Sequence, residues 1–172
     1  GISVDVIDAA VVAITLSGPA SVWFGVGFGA TSMKDEPYAI IVDGNGNVSE
    51  RKLGNHGPGK ELSKSITIVS SAFHGDDRTR VLHRSINGSS TDHYTFQTTP
   101  GDINMIAAVG DGKTLSYHKA RTGGKLTLIP TETLSCICYP TQTIYFTYMN
   151  STKMQVNNYD CLDEPRSDML KH

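Results

Sequence analysis

The sequence has no excess of basic residues: 15 lysines and arginines stand against 17 aspartates and glutamates, for a formal net charge of −2. A nucleic-acid-binding domain carries a basic stripe, so this balance argues against that class of partner. No apolar run approaches the roughly 18–20 residues of a membrane-spanning helix. We therefore expect the 172 residues to fold as one packed domain with no membrane span.

Cysteine is scarce, and Cys136, Cys138 and Cys161 all lie in the last quarter of the chain. The favoured interpretation is one disulfide that closes the C-terminal segment, with one thiol left over. The odd count suggests a partner cysteine beyond His172, in a longer protein. Zinc is less well supported, because about two to four residues usually separate its ligands and no fourth ligand lies nearby.

Three Asn-x-Ser/Thr tripeptides, at Asn47, Asn87 and Asn150, lie in or beside turn-like sequence. Together with the cysteines they favour a secreted or cell-surface glycoprotein. The chain begins at Gly1 and shows no signal-peptide pattern, so we expect a mature or excised segment.

Glycine and proline divide the chain into short runs of β-branched and aromatic residues. Residues 22–28 alternate, with Trp23 and two glycines on one face, and residues 43–46 (Asp-Gly-Asn-Gly) are a strong hairpin signal. No stretch has a sustained helical period. About ten strands at spacings of roughly 8–15 residues predict an all-β antiparallel sandwich or barrel. The predicted strands are residues 4–16, 22–28, 38–42, 48 onward, 66–70, 79–83, 94–97, 103–109, 114–118, 125–129 and 143–148.

Several catalytic signatures are absent. The glycines from Gly25 to Gly29 are not followed by the helix that a phosphate site needs, since Pro37 interrupts the next segment. The chain has no Gly-x-Ser-x-Gly nucleophile elbow and no His-x-x-x-His pair. The acidic residues near Asp76 lack the spacing of a calcium loop. Nucleotide binding, serine hydrolysis and zinc chemistry are therefore poorly supported.

Two residues remain unusual. Met33 lies in a polar loop directly after residues 22–28, where a methionine has little core to fill. His118 ends a predicted strand, just before Lys119. Each alone is most simply structural. As a pair they place a thioether and an imidazole at two strand ends, which is the ligand set of a six-coordinate cytochrome.

Short motifs over roughly residues 2–130 resemble, in order and spacing, those of a DOMON domain. The opening half of the likeness is SVWFGVGFG at 21–29 and MKDEPYAIIV at 33–42. An arginine-bearing strand follows at 81–86 (VLHRSI), and the closing half is IAAVG at 106–110 and LSYH at 115–118. The resemblance implies an immunoglobulin-like sandwich over residues 1–134, with residues 135–172 as a Cys-containing C-terminal extension outside it.

The DOMON family occurs in secreted and membrane-linked redox proteins and includes the cytochrome domain of cellobiose dehydrogenases and cytochrome b561-linked proteins. Its haem-binding branch holds haem b between a methionine just after the Trp-Gly strand and a histidine near the domain's end, and Met33 and His118 match those positions. Because no Cys-x-x-Cys-His motif is present, the haem is expected to be non-covalent. The resemblance implies one-electron transfer to or from a partner redox domain, in the same longer chain or a separate protein, rather than catalysis.

The same resemblance implies roles for residues around the cofactor. The glycines on the Trp23 side of their strand are expected to let a flat macrocycle approach the backbone. Arg84 and Tyr117 are the favoured partners of the haem propionates, ahead of Lys119 and Arg121, through charge-assisted hydrogen bonds.

Other DOMON branches lack the methionine and histidine pair and are regarded as sugar- or ligand-binding. The alternative function is therefore a haem-free module that binds a carbohydrate or other small ligand through Trp23, Tyr38 and nearby loops. A structural module of a copper monooxygenase or adhesion protein is a third hypothesis.

Overall fold

The computed structural model describes residues 1–7 and 9–128. Within them the chain forms ten β-strands in two antiparallel sheets. This confirms the predicted all-β antiparallel sandwich of about ten strands. The C-terminal extension, with its three cysteines and the strand predicted over residues 143–148, lies outside the described residues.

The two sheets contain four and six strands, in the orders β1-β2-β8-β7 and β10-β9-β3-β4-β5-β6. The four-stranded sheet is built from β1 (Ile2–Val6), β2 (Val11–Pro19), β7 (Thr67–His74) and β8 (Asp77–Ser85). The six-stranded sheet is built from β3 (Phe24–Phe28), β4 (Tyr38–Val42), β5 (Val48–Gly54), β6 (Gly57–Glu61), β9 (Gly101–Val109) and β10 (Ala120–Leu128). A single 3-10 turn, Met33–Asp35, lies between β3 and β4, and no helix in the described ranges has the length and hydropathy to cross a membrane.

Several predicted strands differ from the structure. The run over residues 4–16 turns back on itself, with the amide of Ile7 donating to the carbonyl of Val11 at 3.0 Å, so that β1 and β2 pair as a hairpin. Residues 94–97 and 114–118 lie in connections rather than strands, and the amide of Phe96 donates to the carbonyl of Ile86, just after β8, at 3.0 Å. Strand β6 was not predicted, since its Gly-Pro-Gly sequence is unfavourable in a strand.

The main core lies between the sheets and follows from strand alternation. On β2, Val12, Ile14 and Leu16 are buried, and on β4 Ile40 and Val42 are fully buried. Burial of each such side chain contributes about 1.5–3 kcal/mol to folding. The alternation also decides which side chains of the six-stranded sheet face away from this core.

One acidic side chain, Glu50 of β5, is buried with its hydrogen bonds satisfied. The hydroxyls of Tyr38 and Ser65 each donate to its Oε1 at 2.6 Å, and the amides of Ser65 and Ile66 donate to its Oε2. Burial opposes ionisation, but these four hydrogen bonds outweigh it and hold the pKa of Glu50 below its usual value. The carboxylate therefore joins β4 to the segment that leads into β7.

Candidate cofactor site

The outer face of the six-stranded sheet carries a second apolar cluster, here called the outer cluster. Because Phe24, Val26 and Phe28 pack into the main core, alternation turns Gly25 and Gly27 to this outer face. The outer cluster consists of Trp23, Ala39, Ile41 and Leu53, with Met33, Ile106, Ala108 and Leu115 packed against them. A cleft of about 600 Å³ lies over this face, within the range of roughly 300–1,000 Å³ typical of cofactor sites.

The glycines of β3 line the cleft, but isoleucine side chains of the neighbouring strands pack closely beside them. A Cβ added at Gly25 would collide with Ile41 Cδ1, and one added at Gly27 would lie 2.9 Å from Ile106 Cγ1. The neighbouring isoleucines therefore fill the space above both glycines. Both glycines line the cleft, and the close approach of a macrocycle to this backbone stays a prediction.

Met33 is held by the 3-10 turn after β3. The Ser32 hydroxyl accepts a hydrogen bond from the amide of Lys34, and the Asp35 carboxylate accepts from the amides of Thr31 and Ser32 at 3.0 Å each. These backbone hydrogen bonds lower the pKa of Asp35 and keep it ionised. Met33 is half-buried against the outer cluster and lines the cleft, so its loop does have apolar surface to contact.

His118 lies in the β9–β10 connection, which backbone hydrogen bonds tie to the rest of the six-stranded sheet. Trp23 exchanges backbone bonds of 2.9 Å with Gly110 and Gly112, and the amide of Gly44 donates to the carbonyl of Lys113 at 2.7 Å. His118 is half-buried and lines the same cleft as Met33. Two residues far apart in the sequence thus line one cleft.

Neither ring nitrogen of His118 makes a hydrogen bond to the part of the chain that the structure describes. Its nearest aromatic neighbour is Tyr117, whose ring centroid lies 4.6 Å away at an interplanar angle of 34°. Tyr117 is 83% exposed, although it also lines the cleft. The imidazole is therefore available to a ligand in the cleft.

Trp23 forms part of the cleft wall and is 4% exposed. Its indole nitrogen lies against Gly110, where any added Cβ would collide with it. Within residues 1–7 and 9–128 this buried N–H has no hydrogen-bond partner. A buried donor left unpaired costs about 1–3 kcal/mol, and the packing of the Trp23 ring against the outer cluster offsets this cost.

Arg84 does not line the cleft. It follows Leu82 on β8 by two residues, so it points into the sandwich, where it is 3% exposed. Its guanidinium donates to the carbonyls of Ser85 and Tyr94 at 3.0 and 2.7 Å and lies over the Tyr38 ring. These contacts occupy Arg84 in the interior, on the opposite side of the six-stranded sheet.

Arg121 of β10 lines the cleft instead. It is exposed, and none of the described residues that line the cleft is acidic. A cleft with one arginine and no carboxylate favours an anionic ligand. Lys119, which the sequence also offered, does not line the cleft.

His56 also lines the cleft, and the sequence analysis did not identify it as a candidate. It occupies the tip of the β5–β6 hairpin in the left-handed region, with φ of 58°, and the tip extends over the cleft beside Pro58. The sequence held no signal for this position, because the hairpin itself was not predicted.

Comparison with known proteins gives a fold but no family. No protein-family model matches the sequence, and no curated protein matches it. Among solved structures, the fold is similar to that of the cytochrome b domain of pyranose dehydrogenase from Coprinopsis cinerea, with a TM-score of 0.53 and 21% identity over 68% of this chain and 67% of that chain. At this identity the likeness shows a shared β-sandwich fold.

Proposed function

We propose that the chain is a b-type cytochrome domain that transfers single electrons, with haem b held non-covalently between Met33 and His118. The observation that carries the proposal is that these two side chains, from the β3–β4 turn and the β9–β10 connection, line one cleft. The named cytochrome b neighbour supports it through the shared fold.

The chemistry of the cleft fits such a group. A thioether and a neutral imidazole are the ligand pair of a low-spin haem, and haem iron bound in this way exchanges one electron. Met33 supplies a soft donor that favours the reduced metal, and His118 must be uncharged to coordinate. The outer cluster gives the cleft an apolar floor of the kind that a flat apolar ring system requires.

The arginine at this site is assigned to Arg121 rather than Arg84. Arg121 lines the cleft, whereas the guanidinium of Arg84 is bound by backbone carbonyls inside the sandwich. Arg121 would neutralise the carboxylates of the ligand by charge-assisted hydrogen bonds. Tyr117 lines the cleft beside His118 and is the second candidate for such a bond.

The alternative function, binding of a carbohydrate or other small ligand without haem, depends on exposure of the Trp23 and Tyr38 rings. Tyr38 is 3% exposed with its hydroxyl bonded to Glu50, and Trp23 is buried as well. Tyr38 does not line the cleft, and Trp23 lines it with little of its surface exposed. Neither observation specifically favours carbohydrate binding through these two residues.

The partner and location follow from the same proposal. A domain that only carries electrons needs a second redox domain, and the neighbour is itself named as a domain of a dehydrogenase. Secretion and glycosylation stay predictions. Asn47 and Asn87 are exposed, although the Asn47 amide also donates to Asp43 at 2.8 Å. Asn150 and the cysteines lie outside the described residues.

Absorption spectra of the purified protein, oxidised and dithionite-reduced, test the proposal. We expect sharp reduced-state bands in the wild type and loss of the six-coordinate spectrum in Met33→Ala and His118→Ala. His74→Ala is the matched control, because this exposed histidine lies at the β7–β8 turn on the other sheet. A colourless wild-type protein that takes up no added haem would overturn the proposal.

A further inference from the structure

We propose that Tyr117, Lys113 and Lys119 form a docking surface for the acidic face of a redox partner, and that the ring contact between Tyr117 and His118 is the electron path across it. This inference rests on the proposed cytochrome function. It adds the chemistry of the partner and the residues that meet it.

The exposure of Tyr117 is the first observation. At 83% exposed, it is the most exposed large apolar side chain in the described residues. Its ring nonetheless contacts the imidazole of His118, at 4.6 Å between centroids. Solvent-exposed tyrosines are frequent energetic centres of protein interfaces, where they bury a large ring at low entropic cost. Tyr117 thus joins the protein surface directly to a proposed iron ligand.

The local charge is the second observation. Lys113, Lys119 and Arg121 are all exposed within four residues of Tyr117 in the sequence, and Asp111 is the single acidic residue between positions 110 and 122. In the described part of the chain none of the three cations forms an ion pair. The whole protein carries a net charge of −2. In the haem-free protein the surface is therefore locally basic on a net acidic protein.

This charge pattern indicates that the partner's surface is acidic. Complementary charge steers association and orients the two surfaces, and it disfavours partners of like sign. A basic rim around an exposed aromatic ring fits a protein that presents carboxylates around its own redox centre. Transfer moves one electron from the reduced site to the one-electron acceptor of the partner, so that one centre is oxidised and the other reduced, and no covalent bond changes.

Two small one-electron oxidants of opposite charge test the surface on the haem-loaded protein. We expect oxidation by anionic hexacyanoferrate(III) to slow about tenfold as salt is raised from 10 mM to 0.5 M, because salt screens the attraction. Oxidation by cationic tris(phenanthroline)cobalt(III) should not slow. In the Lys113→Glu/Lys119→Glu variant, added salt should slow oxidation by the cationic oxidant and not by the anionic one. Lys64→Glu, at an exposed lysine between β6 and β7, should keep the salt dependence of the wild type. An unchanged salt dependence in the double variant would overturn the docking surface.

A second readout needs no haem. We expect poly-glutamate added to the haem-free protein to shift the NMR signals of Tyr117 and its neighbours, and Tyr117→Ala to weaken this binding about tenfold, as loss of one interface aromatic does. Phe73→Ala is the control, since Phe73 is 61% exposed on the other sheet. Shifts spread evenly over all exposed lysines would overturn the proposal.

The two proposals fail in different ways. A wild type that takes up no haem removes the cytochrome function, while the poly-glutamate titration still decides whether an acidic chain binds here. A wild type with the expected spectrum and no charge preference removes only the docking surface.

Discussion

The amide of Gly44, in the β4–β5 turn, donates a hydrogen bond of 2.7 Å to the carbonyl of Lys113, in the loop that carries His118. The turn is itself fixed from the other sheet, where Arg78 donates to the carbonyl of Asp43 at 3.0 Å and Arg80 to that of Gly46 at 2.7 Å. The position of the histidine loop thus depends on contacts that span both sheets.

Gly44→Ala tests this dependence. A Cβ at Gly44 would lie 2.7 Å from the Cα of Lys113, so the loop must move. We expect the free energy of unfolding to fall by about 1–3 kcal/mol, as for other overpacked sites. The haem-loaded variant should lose six-coordinate character, and added imidazole should restore it. Denaturant unfolding and absorption spectra measure the two effects.

Gly112→Ala is the matched control in the same loop. A Cβ at Gly112 has no atom within 4 Å, so this variant should keep the wild-type spectrum and stability. Equal effects of the two substitutions would show that the Gly44–Lys113 contact does not position the histidine loop.

Met33→His should keep six coordination but lower the reduction potential. Imidazole stabilises the oxidised metal relative to a thioether, so exchange of the donor changes the potential and not the coordination number. Spectroelectrochemistry of the haem-loaded protein measures the change. Lys34→Ala, at the exposed neighbour, should leave the potential unaltered. A potential that is the same in wild type and Met33→His would mean that Met33 is not a ligand.

Arg84→Ala should affect mainly the stability of the fold, and Arg121→Ala should affect mainly haem binding. Arg84 donates to three backbone carbonyls inside the sandwich, so its loss should reduce the free energy of unfolding by about 2–4 kcal/mol. Exposed Arg121 should contribute little to stability, but its removal should weaken haem binding about tenfold, the effect of one lost charge-assisted hydrogen bond. Urea unfolding of the haem-free proteins and haem titration provide the comparison. Weaker haem binding in Arg84→Ala than in Arg121→Ala would contradict the assignment.

Ionisation of Glu50 should make the free energy of unfolding depend on pH. Its pKa is lower in the folded protein than in the unfolded chain, so the unfolded chain binds a proton first as the pH falls. The stabilisation is full above the usual value of 4.5 and is lost as the pH falls through the folded value. Glu50→Gln should cost about 1–3 kcal/mol at pH 7 and flatten this dependence. Denaturant unfolding at pH 7 and pH 4 measures both, and exposed Glu61→Gln should match the wild type.

The sequence predicts strands well where polar and apolar residues alternate strongly. It predicts them poorly where contacts with distant parts of the chain determine the local structure. Alternation around Trp23 predicts which face of β3 is apolar and which carries glycine, and the structure has both. The same rule places Arg84 on the face of Leu82, but only the loop after β8 provides the carbonyls that make a buried arginine tolerable. Sequence spacing likewise cannot show that Met33 and His118 share a cleft, because both residues lie in connections that leave their strands and fold over the outer face of the six-stranded sheet.

The outer cluster gives the six-stranded sheet apolar side chains on both faces, whereas the second sheet covers only one of them. A molecule seated in the cleft would act as a third layer of the sandwich. The free energy of unfolding would then rise with the logarithm of that molecule's free concentration once this exceeds its dissociation constant.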